Sequence, residues 1–236
     1  MSIGIMQPYL FPYLGYFSLI KHTDRWIVFD TVQYIDRGWM NRNRIIHPNQ
    51  PESMYFTVPV TARRETLIRH AAIDGSQPYI QKILGQLAAS YQKRAPYYKE
   101  VRALAASCLE AERDNLRDLN ILCLERVCAY LGIPLNMEIF SRMELAVEPA
   151  GAPDEWALNI CKALGEKEYI NPPGAMEMFH REKYRAAGVE IRFLKWEPTP
   201  YNQRKPLFFP SLSVLDAMMF CAPEEIRDML DRYTLL

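Results

Sequence analysis

Apolar residues fall along this chain in changing rhythms, and each rhythm predicts an element. Two short apolar runs open it, Ser2 to Met6 and Trp26-Ile27-Val28-Phe29-Asp30, both rich in side chains that suit a sheet. Between them, Gly15 to His22 carries Phe17, Leu19 and Ile20 in a helical pattern. Strand, helix, strand is a βαβ-like opening and predicts a parallel sheet. Trp39 to His47 and Met54 to Val60 then flank the turn Pro48-Asn49-Gln50-Pro51, which predicts a hairpin or a pair of short strands. Ile68 to Ile73 reads as a further edge strand.

The pattern turns helical over Pro78 to Tyr91 and Tyr97 to Glu112. Asp114 caps a third helix that runs to Leu131, with Leu116, Leu119, Cys123, Val127 and Tyr130 on one face. Gly132 stops it and Pro134 follows. This block, residues 77 to 132, predicts a helical insertion or cap over the sheet. The last third alternates again: strand Asn136 to Phe140, helix Asp154 to Leu164, strand Tyr169 to Asn171, helix Met176 to Ala187, strand Val189 to Trp196. A loop, Glu197 to Pro210, leads to helices near Ser213 to Phe220 and from Pro223. The expectation is one α/β domain over residues 1–236, with a mainly parallel, Rossmann-like sheet.

Composition narrows the function classes. Hydrophobic residues make up 49% of the chain, enough for a sizeable core. With 28 basic and 28 acidic residues there is no positive excess for general nucleic-acid or membrane-surface binding. The opening Met1 to Pro8 lacks a charged leader, and no apolar run reaches the roughly 18 residues of a membrane span. A cytoplasmic chain is expected. Its five cysteines form no Cys-x-x-Cys pair and read as free thiols, and its four histidines are too scattered to suggest a metal site. The pattern does not speak to oligomeric state.

Three polar clusters sit where an α/β sheet places its ligands, just past the carboxyl ends of strands. The first runs from Gln7 to Phe17, a proline-stiffened loop that ends in Gly15 at the mouth of a helix. Its backbone amides suit an anion, or else it is only a rigid connection with core aromatics. The second runs from Asp30 to Arg44 and holds Gln33, Tyr34, Trp39, Asn41, Arg42 and Asn43. Arg42 suits two parallel hydrogen bonds to phosphate or carboxylate, and Trp39 suits stacking on a base or sugar. On a strand, Asn41 and Asn43 share one face and Arg42 points the other way. The plain alternative is a solvated edge strand with a surface salt bridge. The third cluster joins Tyr201, Asn202 and Gln203 to Ser211, Ser213 and Asp216. Either serine suits a helix cap, and Asp216 suits the positive end of that helix.

These runs resemble the WbqC-like family. The likeness rests on Ile5-Met6-Gln7-Pro8 through Gly15-Tyr16-Phe17, Asp30-Thr31-Val32-Gln33-Tyr34 and Trp39-Met40-Asn41-Arg42-Asn43. It continues in Tyr169-Ile170-Asn171-Pro172, Tyr201-Asn202-Gln203 and Ser211-Leu212-Ser213-Val214-Leu215-Asp216. The turn Pro173-Gly174-Ala175 departs from the pattern, where a second glycine is expected at Ala175. The resemblance implies a place in O-antigen, lipopolysaccharide or related surface-glycan biosynthesis. A fainter likeness in layout joins the first loop to nucleotidyl-transfer enzymes such as pantothenate synthetase, whose His-x-Gly-His turn is replaced here by Tyr13 and Tyr16. ATP enters only through that second likeness, and a phenol carries no positive charge near neutral pH.

The reading that follows is a transferase that moves an acyl or aminoacyl group to the amine of an amino sugar, one carried on a nucleotide. In it Arg42 holds phosphate or carboxylate, and Asp30 or Asp216 positions or deprotonates the amine. Asn41, Asn43, Asn171 and Gln203 read hydroxyls. Gln7, Tyr13, Gly15, Tyr16, Gln33, Tyr34, Trp39, Tyr201, Ser211 and Ser213 complete the expected substrate site. The rival is a non-catalytic protein of the same pathway that recognises a sugar or nucleotide-sugar without acting on it.

Overall fold

The computed structural model describes residues 1–63 and 65–236. Its chain begins with strand β1 (Ser2–Met6), helix α1 (Leu14–Lys21) and strand β2 (Arg25–Val28). An excursion follows through the hairpin β3 (Arg42–Ile46) and β4 (Ser53–Thr57), then the two-residue strands β5 (Val60–Thr61) and β6 (Ala72–Ile73). Three helices come next: α2 (Tyr79–Tyr91), α3 (Tyr98–Leu109) and α4 (Leu116–Leu131). The last part alternates: β7 (Met137–Ile139), α5 (Glu155–Leu164), β8 (Glu168–Asn171), α6 (Arg181–Ala186), β9 (Glu190–Trp196), α7 (Val214–Phe220), α8 (Pro223–Leu230) and β10 (Tyr233–Leu235).

The central sheet has the order β10-β9-β8-β1-β2-β7, and all its pairings except β9 with β10 are parallel. Ranked by chain position, its parallel strands run 3-2-1-4-5, the order of doubly wound folds. Alternation along the strands builds a core on each face. Ile3, Ile5, Ile27, Tyr169, Ile191 and Phe193 pack with α5 and α6 residues such as Ile160 and Tyr184. Trp26, Val28, Ile170 and Leu194 face Phe17, Leu124, Leu215 and Ile226 from α1, α4, α7 and α8. Gly4 is needed at this second face, because a Cβ there would come within 2.7 Å of the Trp26 ring. All five cysteines are buried free thiols. Among the described residues no helix is long and apolar enough to cross a membrane.

The fold is α/β with a mostly parallel sheet, and the β1-α1-β2 opening and the hairpin stand where the pattern placed them. Several boundaries differ. Asn115, not Asp114, caps α4, its side chain accepting from the Arg117 amide at 2.9 Å. Ile68 to Ile73 is not one strand: a 3-10 turn, Ile68–His70, precedes β6, with the Ile68 and Arg69 amides bound to the Val32 and Asp30 carbonyls. Met176 to Ala187 is not one helix. A 3-10 segment, Pro173–Met178, gives way to extended backbone before α6, because Phe179 is drawn against Tyr169, Tyr184 and Phe193. Strand β10 is three residues long, too short to show alternation in sequence.

Candidate functional site

The parallel order has one topological switch point, between β1 and β8, and doubly wound sheets bind their ligands outside the carboxyl ends near such a point. Gln7 follows β1, Asn171 ends β8 and Asp30 follows β2, so three expected site residues share this edge. The loop from Gln7 to Tyr13 is held by other chain segments. Tyr16 Oη donates to the Gln7 carbonyl at 2.8 Å and Asn120 Nδ2 to the Pro8 carbonyl at 2.9 Å. Asn43 Nδ2 donates to the Leu10 and Phe11 carbonyls at 3.1 and 2.8 Å, and Ser213 Oγ to Phe11 at 2.8 Å. These bonds hold Phe11 in the left-handed region, at φ 40°, where a buried aromatic residue is strained by about 1–3 kcal/mol. Gly15 is required for a local reason: its Cβ would lie 2.4 Å from the Tyr13 ring, which packs edge-on against Trp196.

Both expected catalytic carboxylates are fully buried and bonded. Asp30 accepts from Arg117 Nη1 at 3.0 Å, Ser141 Oγ at 2.6 Å and the Ser141 amide at 3.0 Å. Asp216 accepts from Tyr91 Oη at 2.5 Å, Tyr201 Oη at 2.7 Å and Gln203 Nε2 at 2.8 Å. Burial pushes the Asp216 carboxyl above its ordinary value, and these three donors only partly oppose that. Gln203 is itself saturated: its Nε2 also reaches the Phe209 carbonyl and its Oε1 accepts the Phe209 amide. The knot fastens the Tyr201–Phe209 loop to α2 and α7.

The excursion after β2 has the opposite character. On the outer face of the hairpin, the Arg42 guanidinium lies 4.4 Å from the centre of the Tyr55 ring and the Arg44 guanidinium 5.5 Å from that of Trp39. Trp39 and Tyr55 are themselves stacked, with centroids 6.3 Å apart and planes at 29°, and are 42% and 44% exposed. Arg42 Nη2 donates to the Arg37 carbonyl, while Arg42 Nε and Arg44 Nε have no hydrogen-bond partner among the described residues. Beside this ladder lies a cavity of about 540 Å³ lined by Gln33, Tyr34, Ile35, Asp36, Asn41, Val60, Ala62 and Arg63. Asn41 donates to the Val58 carbonyl at 3.0 Å, but its buried Oδ1 has no partner among the described residues. Burial and the nearby Asp36 raise the Tyr34 hydroxyl above its usual range, and Arg42 opposes this. Volume alone does not select the site. Larger grooves of 640 Å³, at the starts of β8 and β9, and 750 Å³, between the ends of α3 and the start of α2, carry no unpartnered buried polar atom among the described residues.

The model of the WbqC-like protein family matches residues 7–228. The chain belongs to the WbqC-like protein family. It is also similar, at 29% identity over 230 residues and 97% of each chain, to uncharacterized protein Rv1507c of Mycobacterium tuberculosis. No solved structure matches it.

In this WbqC-like chain the expected site residues separate into groups. Gln33, Tyr34, Trp39, Asn41 and Arg42 gather on the hairpin and its cavity. Asn43, Tyr16 and Ser213 grip the first loop; Ser213 also caps α7, accepting from the Leu215 amide at 3.3 Å, while Ser211 is exposed at φ 55°. Tyr201, Gln203 and Asp216 form the knot. Asn171 accepts from Tyr169 Oη at 2.7 Å and donates to the Pro172 carbonyl at 3.0 Å. Sequence reasoning did not single out Tyr55, Asn120, Arg117, Ser141 or Tyr91. Tyr55 was legible in part, because its hairpin register opposite Arg44 follows from the turn. The others meet their partners only across the fold, at sequence separations from 80 to 125 residues.

Proposed function

We propose that this chain acts on an amino sugar linked to a nucleotide, in the assembly of a bacterial surface glycan, and transfers an acyl or aminoacyl group to its amine. One observation carries the reading: the ladder Arg42–Tyr55–Trp39–Arg44 stands next in the chain to Asn41, which lines the cavity with Gln33 and Tyr34. A nucleotide-sugar needs a cation for its diphosphate, an aromatic face for base or sugar, and amides for hydroxyls. These three kinds of group stand together there. The family membership supports the pathway, through the resemblance set out above. Asp30 and Asp216 serve this reading as positioning groups, since each is enclosed by its own donors.

A second reading is a binding protein of the same pathway that performs no chemistry. The same enclosure of Asp30 and Asp216 favours it, because neither reaches solvent. Calorimetric titration with UDP- and dTDP-linked amino sugars tests what the two readings share. Arg42→Lys loses the planar fork, so affinity is expected to fall about tenfold or more, about 1.4 kcal/mol, with the melting temperature unmoved. Equal affinities would remove Arg42 from the site. Incubation with acyl donors, with and without ATP, separates the readings: a mass increase on the sugar marks the transferase, and binding without one marks the recognition protein.

A further inference from the structure

A transfer to an amine needs a proton acceptor, and the two enclosed carboxylates do not offer one. The crossover helices α5 and α6 lead into the parallel strands β8 and β9, so their N-terminal ends lie at the sheet's carboxyl edge. At that edge Asp154 stands just before α5 and His180 just before α6. The ring Nδ1 of His180 is 2.9 Å from Asp154 Oδ2, and its backbone amide donates to the same oxygen at 3.3 Å. The pair is asymmetric in exposure: the Asp154 side chain is 2% exposed and the His180 side chain 67%. The Tyr184 hydroxyl donates to the Asp154 carbonyl at 2.6 Å, and Phe179 is packed among Tyr169, Tyr184 and Phe193, so both partners sit on anchored backbone.

His180 also lies on the segment that leaves β8 after Asn171, while the loop that leaves β1 after Gln7 turns to α1 on the other face of the sheet. Divergence of these two connections is what opens a ligand crevice in a doubly wound sheet. Burial pushes the Asp154 carboxyl up, but the His180 bonds and Lys183, at 3.7 Å, outweigh it and hold the group below its ordinary value. An ionised Asp154 accepts and cannot donate, so the neutral imidazole carries its proton on Nδ1 and leaves the Nε2 lone pair free.

We propose that His180 is the proton acceptor of this edge and that Asp154 is its positioning residue. The proposal rests on the transferase reading above. In the step it implies, the sugar amine attacks the donor's carbonyl carbon as His180 Nε2 takes a proton from the nitrogen. A C–N bond forms, the bond from the carbonyl carbon to the leaving group breaks, and the imidazolium returns its proton to that group. Asp154 pairs with the ring and, at 3.7 Å, with Lys183, which also meets Glu155 at 2.8 Å; the guanidinium of the neighbouring Arg181 lies 5.1 Å from the centre of the Phe193 ring.

The test compares wild type, His180→Gln and Asp154→Asn for transfer to UDP- and dTDP-linked amino sugars across pH. A second measurement reads the imidazole tautomers by nitrogen-15 NMR. Expected are a kcat limb that rises with pH in the wild type, and a fall of about 100-fold or more in His180→Gln with that limb lost and KM nearly unchanged. In NMR the wild-type His180 carries its proton on Nδ1, and Asp154→Asn loses that preference. The backbone bond from residue 180 to Asp154 survives in His180→Gln, so a purely structural role predicts wild-type kcat there. Wild-type kcat in His180→Gln, or an Nε2-protonated ring in the wild type, overturns the proposal and leaves the transferase reading standing. Binding of the nucleotide-sugar without transfer by the wild type overturns both.

Discussion

The knot around Asp216 and the ladder on β3 and β4 are made of the same kinds of side chain: charged groups, amides and phenols. In the knot, two hydroxyls and an amide converge on one carboxylate that has no exposure to solvent. In the ladder, two guanidiniums lie over exposed rings and each leaves its Nε without a partner among the described residues. A buried polar group that is fully bonded specifies the fold, and removing one member strands the others. The ladder's two rings are exposed, and contacts made at an exposed site contribute little to stability. The enclosed knot is architecture, and the ladder is the recognition surface only under the function proposed above, although the sequence presents both as polar clusters of equal promise.

Asp216→Ala breaks the comparison if it fails. It leaves Tyr91, Tyr201 and Gln203 without their acceptor, so a loss of about 3 kcal/mol is expected, or roughly 10 °C in melting temperature for a chain of this size. Urea and thermal unfolding measure it, and an unchanged midpoint would mean that the knot does not hold the Tyr201–Phe209 loop. Asn43→Ala should cost somewhat less, about 2 kcal/mol, because the Leu10 and Phe11 carbonyls lose a donor while Ser213 still serves Phe11.

The pH dependence of stability sharpens the same contrast. Burial raises the Asp216 carboxyl in the folded chain, so the unfolded chain releases this proton at lower pH. As pH climbs from the ordinary aspartate range through the higher folded value, the wild type should lose stability relative to Asp216→Asn, and the gap should then level off. Parallel stability curves for the two proteins would show that the carboxyl is not perturbed. The smallest effect belongs to the ladder: Trp39→Ala and Tyr55→Ala should change stability by no more than about 0.5 kcal/mol each. Both should still weaken nucleotide-sugar binding by calorimetry. A large drop in melting temperature in either variant would move the ladder into the architectural class.

Much of the fold was legible because short-range chemistry carries it. Ser2 to Met6 and Trp26 to Val28 are strands because their apolar side chains are needed on both faces of a covered sheet, and the hairpin follows from its Pro48–Pro51 turn. Where tertiary contacts override local preference, the reading moved. Phe179 is pulled into an aromatic cluster and breaks what reads as one helix from Met176 to Ala187. The site was legible only as residue types. Arg42 and Trp39 were visible as a cation and a ring, but Tyr55 completes their ladder from the opposite strand.

By itself, the sequence determined the α/β class, the opening βαβ unit, the hairpin and the stretches that bear the family's pattern, because these depend on alternation, helical spacing and turn chemistry within a few residues. Only the tertiary structure decided which polar residues are spent and which are free. Asn43 lies in β3 and Asn41 just before it, yet Asn43 uses both ends of its amide, on the Leu10 and Phe11 carbonyls and on the Arg44 amide, while the buried Oδ1 of Asn41 has no partner among the described residues. Asp154 and His180 are 26 residues apart and meet because two crossover helices begin at the same edge of a parallel sheet. Hydrogen-bond satisfaction is a property of what arrives from elsewhere in the chain, and no local pattern encodes it.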